Sequence, residues 1–355
     1  MKIVVLDGFT VAQTDLSWDC LKNIADVEVY DRTAPDDVVE RCKGAEMVLT
    51  NKVVLDGSIL NQLPRLMYIG VLATGYNVVD LETASRQSIV VTNIPSYSTQ
   101  SVAQMVFALL LNVVNRVEHY AVANRNGCWC KSEDFCYLDH NLFELAGKRM
   151  GIVGLGNIGM EVARIASAFG MEVLAVTSKK GELPYGVRSV SMDDLFALSD
   201  VVSLHCPLTD DTRNLVCSKR LETMKPTAII INTGRGPLVN DAELAEALNR
   251  KLIAAYAADV LTLEPAEADN PLLQARNCYL TPHIAWATRE ARQRLMSICV
   301  ENIKAFLAGK PINVVFAGDD YLGTNRFESL YSPESVVYYF PRKEVPISST
   351  AIREW

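Results

Sequence analysis

This chain predicts an α/β fold of two doubly wound parallel-sheet domains. Short apolar runs alternate with helical patterns almost throughout, which is the signature of parallel α/β sheets. The runs fall into two series, five strands and then six, with a long helical pattern after each. A glycine-rich turn, Gly-Ile-Val-Gly-Leu-Gly-Asn-Ile-Gly at 151–159, closes the first strand of the second series.

The first series predicts strands at Lys2–Leu6, Val27–Tyr30, Met47–Thr50, Met67–Gly70 and Val90–Thr92, with segments such as Asp80–Gln87 suited to helices. Gln100–Asn124 then predicts one long helix, because Val102, Val106, Leu109, Leu110, Val113 and Val117 are spaced for a single buried face. The second series predicts strands at Arg149–Val153, Met171–Val176, Asp200–His205, Ala228–Asn232, Ile253–Asp259 and Cys278–Leu280. Thr288–Ala308 repeats the helical spacing with Ala291, Leu295, Ile298, Cys299, Ile303 and Phe306, and ends at Gly309. Lys310–Val315 is apolar enough to return to the first domain. The expected layout is therefore a discontinuous domain, 1–98 plus 285–316, with a second domain inserted at 99–284. Two crossover helices would form the hinge, with the active site in the cleft between domains.

Composition narrows the class. At roughly 150 residues per domain, 355 residues make about two, enough to bury a core without disulfide or metal staples. Charged residues are 21% and hydrophobic ones 49%, and the net charge is 34 − 42 = −8, which argues against an extended nucleic-acid surface. The N-terminal MKIVVLDGF reads as a core strand, not a signal peptide. The longest apolar run, Met105–Leu111, is far too short to span a bilayer. Nine cysteines without framework spacing suit reduced thiols, and a cytoplasmic location is expected. Cys128 and Cys130 flank Trp129, but a Cys-x-Cys without partnering histidines does not make a metal site, and no metal is expected.

The glycine turn gives G-x-G-x-x-G at Gly154, Gly156 and Gly159, with Met160–Phe169 continuing as a helix. The first glycine permits a tight turn, the second lets backbone approach a pyrophosphate, and the third allows close helix–strand packing. Phosphates would then sit at the helix N-terminus, where unpaired N–H groups and the dipole favour anions. With six strands around it, the motif marks a dinucleotide-binding domain. The acid that usually binds the adenosine ribose is missing: Thr177 stands about where it belongs, and the next carboxylate is Glu182. Its loss removes repulsion of a 2′-phosphate, which Ser178, Lys179 and Lys180 are placed to contact. The cofactor is thus NAD(P), with NADP(H) slightly favoured over NAD(H). Asn157, Ile158, His205, Pro207 and Thr233 complete the expected cofactor contacts.

Three ionisable residues stand just beyond successive strands of this sheet. Arg235 follows Ile-Ile-Ile-Asn-Thr-Gly, Glu264 lies in Asp-Val-Leu-Thr-Leu-Glu-Pro, and His283 in Leu-Thr-Pro-His-Ile-Ala-Trp. Open parallel sheets bind ligands outside the carboxyl ends of their strands. Arginine can grip a carboxylate through two parallel N–H bonds, and histidine moves a proton near neutral pH. A neighbouring carboxylate favours the imidazolium. Together with a nicotinamide, the three suit hydride and proton addition to a 2-oxo acid.

Asn232–Asp241, Asp259–Pro265 and Thr281–Thr288, with the glycine loop, resemble the D-isomer-specific 2-hydroxyacid dehydrogenase family across roughly residues 1–316. The resemblance implies a Rossmann cofactor domain inserted into a discontinuous flavodoxin-like substrate domain. It implies that Arg235 binds the substrate carboxylate and carbonyl, that His283 is the acid/base, that Glu264 orients it, and that Asp259 contacts the nicotinamide carboxamide. Asp241 stands one residue past the family's usual acidic position and receives no role. The stretch 71–80 resembles the family's substrate loop, whose N–H groups meet the carboxylate near Thr74 and Gly75. Lys52 is expected on the same rim. His-Ile-Ala-Trp-Ala-Thr is most similar to the hydroxypyruvate reductase (glycerate dehydrogenase) branch, and Trp286 either walls the pocket or packs the hinge. Hydroxypyruvate or glyoxylate is the expected substrate, with pyruvate or 3-phosphohydroxypyruvate as alternatives. A homodimer through the long helix and the loop with Trp129 and Phe135 is also implied. A rival reading is a dinucleotide-sensing, corepressor-like protein, since fold does not fix function.

The family resemblance stops near Val315. The tail, 317–355, carries Ile347-Ser-Ser-Thr-Ala-Ile-Arg and resembles a C-terminal piece of a cytidylyltransferase-type nucleotidyltransferase. That family needs His-x-Gly-His, which none of His119, His140, His205 and His283 forms. The tail is therefore expected to be a fusion remnant.

Overall fold

The computed structural model describes residues 1–13 and 15–317, so the tail resemblance lies outside the described residues from Gly318 onward. The chain divides into two compact units. One is Met1–Ser98 together with the chain from Ala287 onward, and the other is Thr99–Trp286. The chain re-enters the first unit at Ala287, two residues later than the sequence boundary.

The first unit holds β1 (Lys2–Val5), β2 (Asp26–Val29), β3 (Met47–Thr50), β4 (Tyr68–Val71) and β5 (Val90–Thr92), all parallel, in the order β2-β1-β3-β4-β5. Every residue of β3 and β4 is buried, as expected of apolar strands covered on both faces. β2, at an edge, carries Asp26 and Glu28 and is half exposed. The helix Arg289–Leu307 is capped by Thr288, whose side chain accepts from the Ala291 N–H. Its buried stripe includes Leu295, Cys299, Ile303 and Phe306, with Ile298 only half-buried. Two polar residues share the stripe. Asn302 is fully buried and donates to the Asn93 carbonyl at 2.9 Å, while Arg292 donates to the Val11 carbonyl and to both oxygens of Asp15.

The second unit contains β6 (Arg149–Val153), β7 (Glu172–Val176), β8 (Arg188–Ser189), β9 (Val201–Leu204), β10 (Ile229–Asn232), β11 (Ala255–Ala258) and β12 (Cys278–Leu280). All are parallel, in the order β12-β11-β10-β9-β6-β7-β8. Six strands were expected; β8 is a two-residue polar edge strand that no apolar run announces. The order reverses at β6, which lies between β7 and β9, so the switch point falls at the glycine loop.

The expected single helix over 100–124 is two helices, Thr99–Asn115 and Val117–Arg125. Arg116 between them is left-handed at φ 52°. Its guanidinium is drawn to the Tyr279 hydroxyl and to Asn277 Oδ1. The apolar spacing runs through the break, yet Val117 is 61% exposed and the second helix buries no residue. Among the described residues, no helix is long and apolar enough to cross a membrane.

Candidate active site

The glycine loop separates into two packing glycines and one that packs against nothing. A Cβ on Gly154 (φ 94°) would come within 2.7 Å of the His205 carbonyl and the Cys206 nitrogen. On Gly159 it would lie 2.1 Å from the Gly154 oxygen. Both are therefore required by the fold. Gly156 has an ordinary φ of −75°, and a Cβ there would meet no atom of the described residues within 4 Å. Neither backbone nor packing explains this glycine, whereas a phosphate group approaching the backbone does. Gly156 also caps the helix Asn157–Ala168, and as a glycine it has no side chain with which to close that N-terminus. Nearby in sequence to the catalytic candidates, Thr233 has a buried hydroxyl without a hydrogen-bond partner among the described residues. An open glycine and an orphaned hydroxyl fit a dinucleotide cofactor.

Past β7 the chain shows Thr177 half-buried and Ser178, Lys179 and Lys180 exposed; the Lys179 N–H donates to Thr177 Oγ1 at 3.1 Å. His205 and Pro207 follow β9. His205 Nε2 lies 2.8 Å from Ser203 Oγ, and burial pushes the imidazole down to about 4, so it is neutral at pH 7.

The Arg235 turn is built by Asn232. This residue is fully buried at the end of β10; its amide donates to the Arg235 carbonyl at 2.9 Å, and its oxygen accepts from the Gly234 N–H at 3.0 Å. Arg235 itself is half-buried, with Nη1 donating to the Gly234 carbonyl at 2.7 Å. Gly236 is a close approach: a Cβ would sit 1.9 Å from the carbonyl of Leu261. The loop after β11 thus lies directly on the Arg235 turn.

That loop delivers Glu264. Its Oε1 accepts from the Leu261 N–H at 3.1 Å, and its Oε2 lies 2.5 Å from His283 Nδ1. Both oxygens are held, so the imidazole is oriented through Nδ1 and its Nε2 is left for chemistry. Asp241 has a structural role, accepting from Thr262 Oγ1 at 3.0 Å and Asn270 Nδ2 at 2.8 Å across this loop.

His283 is left-handed at φ 54°. Asp259 stabilises that turn: it is 1% exposed and accepts from Thr281 Oγ1 (2.5 Å), Ile284 N–H (2.9 Å) and Ala285 N–H (2.7 Å). Burial raises its pKa, opposed by these donors. The anchoring of the histidine turn is a role that the sequence did not disclose. The Trp286 indole N–H donates to the His283 carbonyl at 2.9 Å, so this side chain also braces the turn. The structure thus joins Arg235, Glu264, His283, Asp259 and Trp286 on the carboxyl ends of β10, β11 and β12.

In the first unit, Asp7 at the end of β1 is almost fully buried and accepts from three consecutive N–H groups, Asn51 (2.8 Å), Lys52 (2.6 Å) and Val53 (3.3 Å). Burial raises its pKa. Lys52, with an exposed side chain, rides on this anchored turn. Thr74 Oγ1 donates to the Ile94 carbonyl at 3.0 Å, and the Thr74 carbonyl accepts from Asn93 Nδ2 at 2.8 Å, which holds the turn containing Gly75. Asp7 and Asn93 were missed because their partners are remote in sequence. The only local signal was a carboxylate directly after the first apolar run.

The profile of the D-isomer specific 2-hydroxyacid dehydrogenase NAD binding domain matches residues 107–285. A hydroxypyruvate reductase of Blautia hydrogenotrophica is 45% identical over 320 residues, covering 89% of this chain and 99% of its own. A glycerate dehydrogenase of Methylorubrum extorquens is 42% identical over 293 residues, 81% of this chain and 91% of its own. Among solved structures, an acyclic imino acid reductase in complex with NADPH and D-Arg has a TM-score of 0.79 at 32% identity, over 89% of this chain and 100% of its own. A D-lactate dehydrogenase from Aquifex aeolicus, complexed with NAD and lactic acid, has a TM-score of 0.76 at 28% identity, over 90% of this chain and 100% of its own.

Proposed function

The chain belongs to the D-isomer-specific 2-hydroxyacid dehydrogenase family, and we propose that it reduces hydroxypyruvate or glyoxylate to the corresponding 2-hydroxy acid with NAD(P)H. The observation that carries this reading is the doubly held Glu264–His283 pair on the same strand rim as Arg235. When bound, the dinucleotide supplies the hydride for C2. Arg235 binds the substrate carboxylate and polarises the carbonyl. His283 donates the proton to the carbonyl oxygen from Nε2, while Glu264 at Nδ1 holds the ring in place for that transfer. In the first unit, the turn of Thr74 and Gly75 offers N–H groups suited to a carboxylate, and Lys52 adds positive charge. The 45% and 42% identities to a hydroxypyruvate reductase and a glycerate dehydrogenase support the three-carbon substrate.

Gly154, Gly156, Asn157, Ile158 and Gly159 would hold the pyrophosphate, with His205, Pro207, Thr233 and Asp259 placed to line the rest of the cofactor. NADP(H) is favoured, because no carboxylate follows β7 until Glu182 and Ser178, Lys179 and Lys180 are exposed there. The test is oxidation of NADPH and of NADH against hydroxypyruvate, glyoxylate, pyruvate and 3-phosphohydroxypyruvate. The expected result is highest kcat/KM for hydroxypyruvate or glyoxylate with NADPH. A strong NADH preference would overturn the cofactor assignment alone, and inactivity on every acid would favour the dinucleotide sensor.

The protein forms a homodimer through the helix Val117–Arg125 and the loop after it. This is supported by large apolar side chains on that segment: Phe135 is 89% exposed, Leu138 73% and Trp129 57%. Light scattering should give twice the chain mass for the wild type and a shift toward the monomer for Phe135→Ser with Leu138→Ser; a wild-type monomer would refute it.

A further inference from the structure

The segment that carries those apolar residues also gathers two imidazoles and a carboxylate. His119 lies on the helix Val117–Arg125, and Asp139 and His140 lie about twenty residues further on. Their ligand atoms are all within 4.8 Å of one another. His119 Nε2 is 2.7 Å from Asp139 Oδ2, and the two histidine rings meet edge to face with centroids 4.5 Å apart. This cluster is separate from the chemistry proposed above. Both histidines line a cavity of about 480 Å³ together with Arg116, Glu118, Asn277 and Tyr279. Asn277 and Tyr279 mark the amino end of β12, whereas His283 follows its carboxyl end.

We propose that His119, Asp139 and His140 form a divalent transition-metal site of the Zn²⁺, Ni²⁺ or Co²⁺ class. Two imidazole nitrogens and one carboxylate oxygen match the ligand preferences of these ions, whereas Ca²⁺ and Mg²⁺ take oxygen ligands almost exclusively. Metal–nitrogen and metal–oxygen bonds of about 2.0–2.2 Å at tetrahedral angles place donor atoms about 3.3 Å apart. The set, already within 4.8 Å, is close to that spacing, and all three side chains are exposed. The contact between His119 Nε2 and Asp139 Oδ2 marks where the ion enters: the metal binds both atoms, and the neutral His119 imidazole then carries its proton on Nδ1. The cavity beside the histidines provides the entry path, and solvent fills the remaining coordination positions. An occupied site ties the helix to the chain beyond residue 138, and so clips the loop bearing Trp129 and Phe135 at both ends. Neither histidine was a candidate ligand from sequence, because the twenty residues between His119 and Asp139–His140 fit no spacing motif.

Isothermal titration of tag-free full-length protein with Zn²⁺ or Ni²⁺ tests the site. One ion per chain is expected, with affinity lower by about 10–100-fold in His119→Gln and in His140→Gln, at least the loss that removal of an outer-shell partner produces. Reduction of hydroxypyruvate should be unchanged in both variants, which separates the ligand role from damage to the fold. The Co²⁺ complex should lack thiolate charge-transfer absorption, because Cys128, Cys130 and Cys136 are exposed in the same segment and are the competing ligands. Absence of binding, wild-type affinity in either variant, or a thiolate band would each overturn the proposal.

Discussion

Glu264 organises the pair proposed for acid–base chemistry. One oxygen is tied to the Leu261 N–H and the other to His283, so the residue fixes its own loop and the imidazole together. His283 in turn stands on a left-handed turn held by Asp259. If His283 is the proton donor, His283→Ala should lower kcat by about two to four orders of magnitude while KM for the 2-oxo acid changes little. Steady-state kinetics at saturating cofactor will check this, and an unchanged kcat would remove His283 from the mechanism. Arg235, Glu264 and His283 were legible in the sequence because each follows an apolar strand and each brings distinctive chemistry. Asp7, Asn232 and the anchoring role of Asp259 were not legible. Their partners are backbone N–H and carbonyl groups, which carry no residue signature, and for Asp7 they lie 44–46 residues away.

At the scale of elements, the strand–loop–helix unit around 149–168 makes a sharper claim than its motif does. Gly159 is demanded by the Gly154 carbonyl, whereas nothing among the described residues demands Gly156. Gly159→Ala should therefore destabilise the fold by about 1–3 kcal/mol, as overpacking does. Gly156→Ala should melt like the wild type but bind NADPH far more weakly, since its methyl group occupies the space into which the pyrophosphate comes. Thermal melts paired with cofactor titrations separate the two; equal NADPH affinity in Gly156→Ala would show that the phosphates do not approach there. Strands were readable because apolar runs of three to seven residues are local. The break at Arg116 was not, because a left-handed arginine gives no turn signal, and its guanidinium partners, Asn277 and Tyr279, lie more than 160 residues on. β8 escaped for the opposite reason: two polar residues make a strand only because β7 is there to pair with them.

At the scale of the whole molecule, stability should depend on pH through His205. Its folded pKa, about 4, lies below the ordinary histidine value of 6.5. The unfolded chain therefore binds a proton that the folded chain refuses between these values, and stability falls as pH drops from 6.5 to 4. A depression of this size corresponds to about 3 kcal/mol, fully lost below pH 4. Replacing His205 by Gln, which stays neutral, should flatten the melting temperature across this window. Identical slopes for variant and wild type would assign the acid sensitivity to other groups.

The sequence by itself determined the strands of both series apart from β8, the glycine loop and the chemical identity of the Arg–Glu–His set. These are properties of short windows: an apolar run, a glycine spacing, a reactive residue at a strand end. Only the tertiary structure decided the strand order that puts β6 between β7 and β9, the contact of Gly236 with Leu261, the buried anchors beneath each reactive turn, and the meeting of His119 with Asp139 and His140. Each depends on groups far apart in the chain, whose encounter is governed by packing and hydrogen-bond satisfaction and not by local propensity.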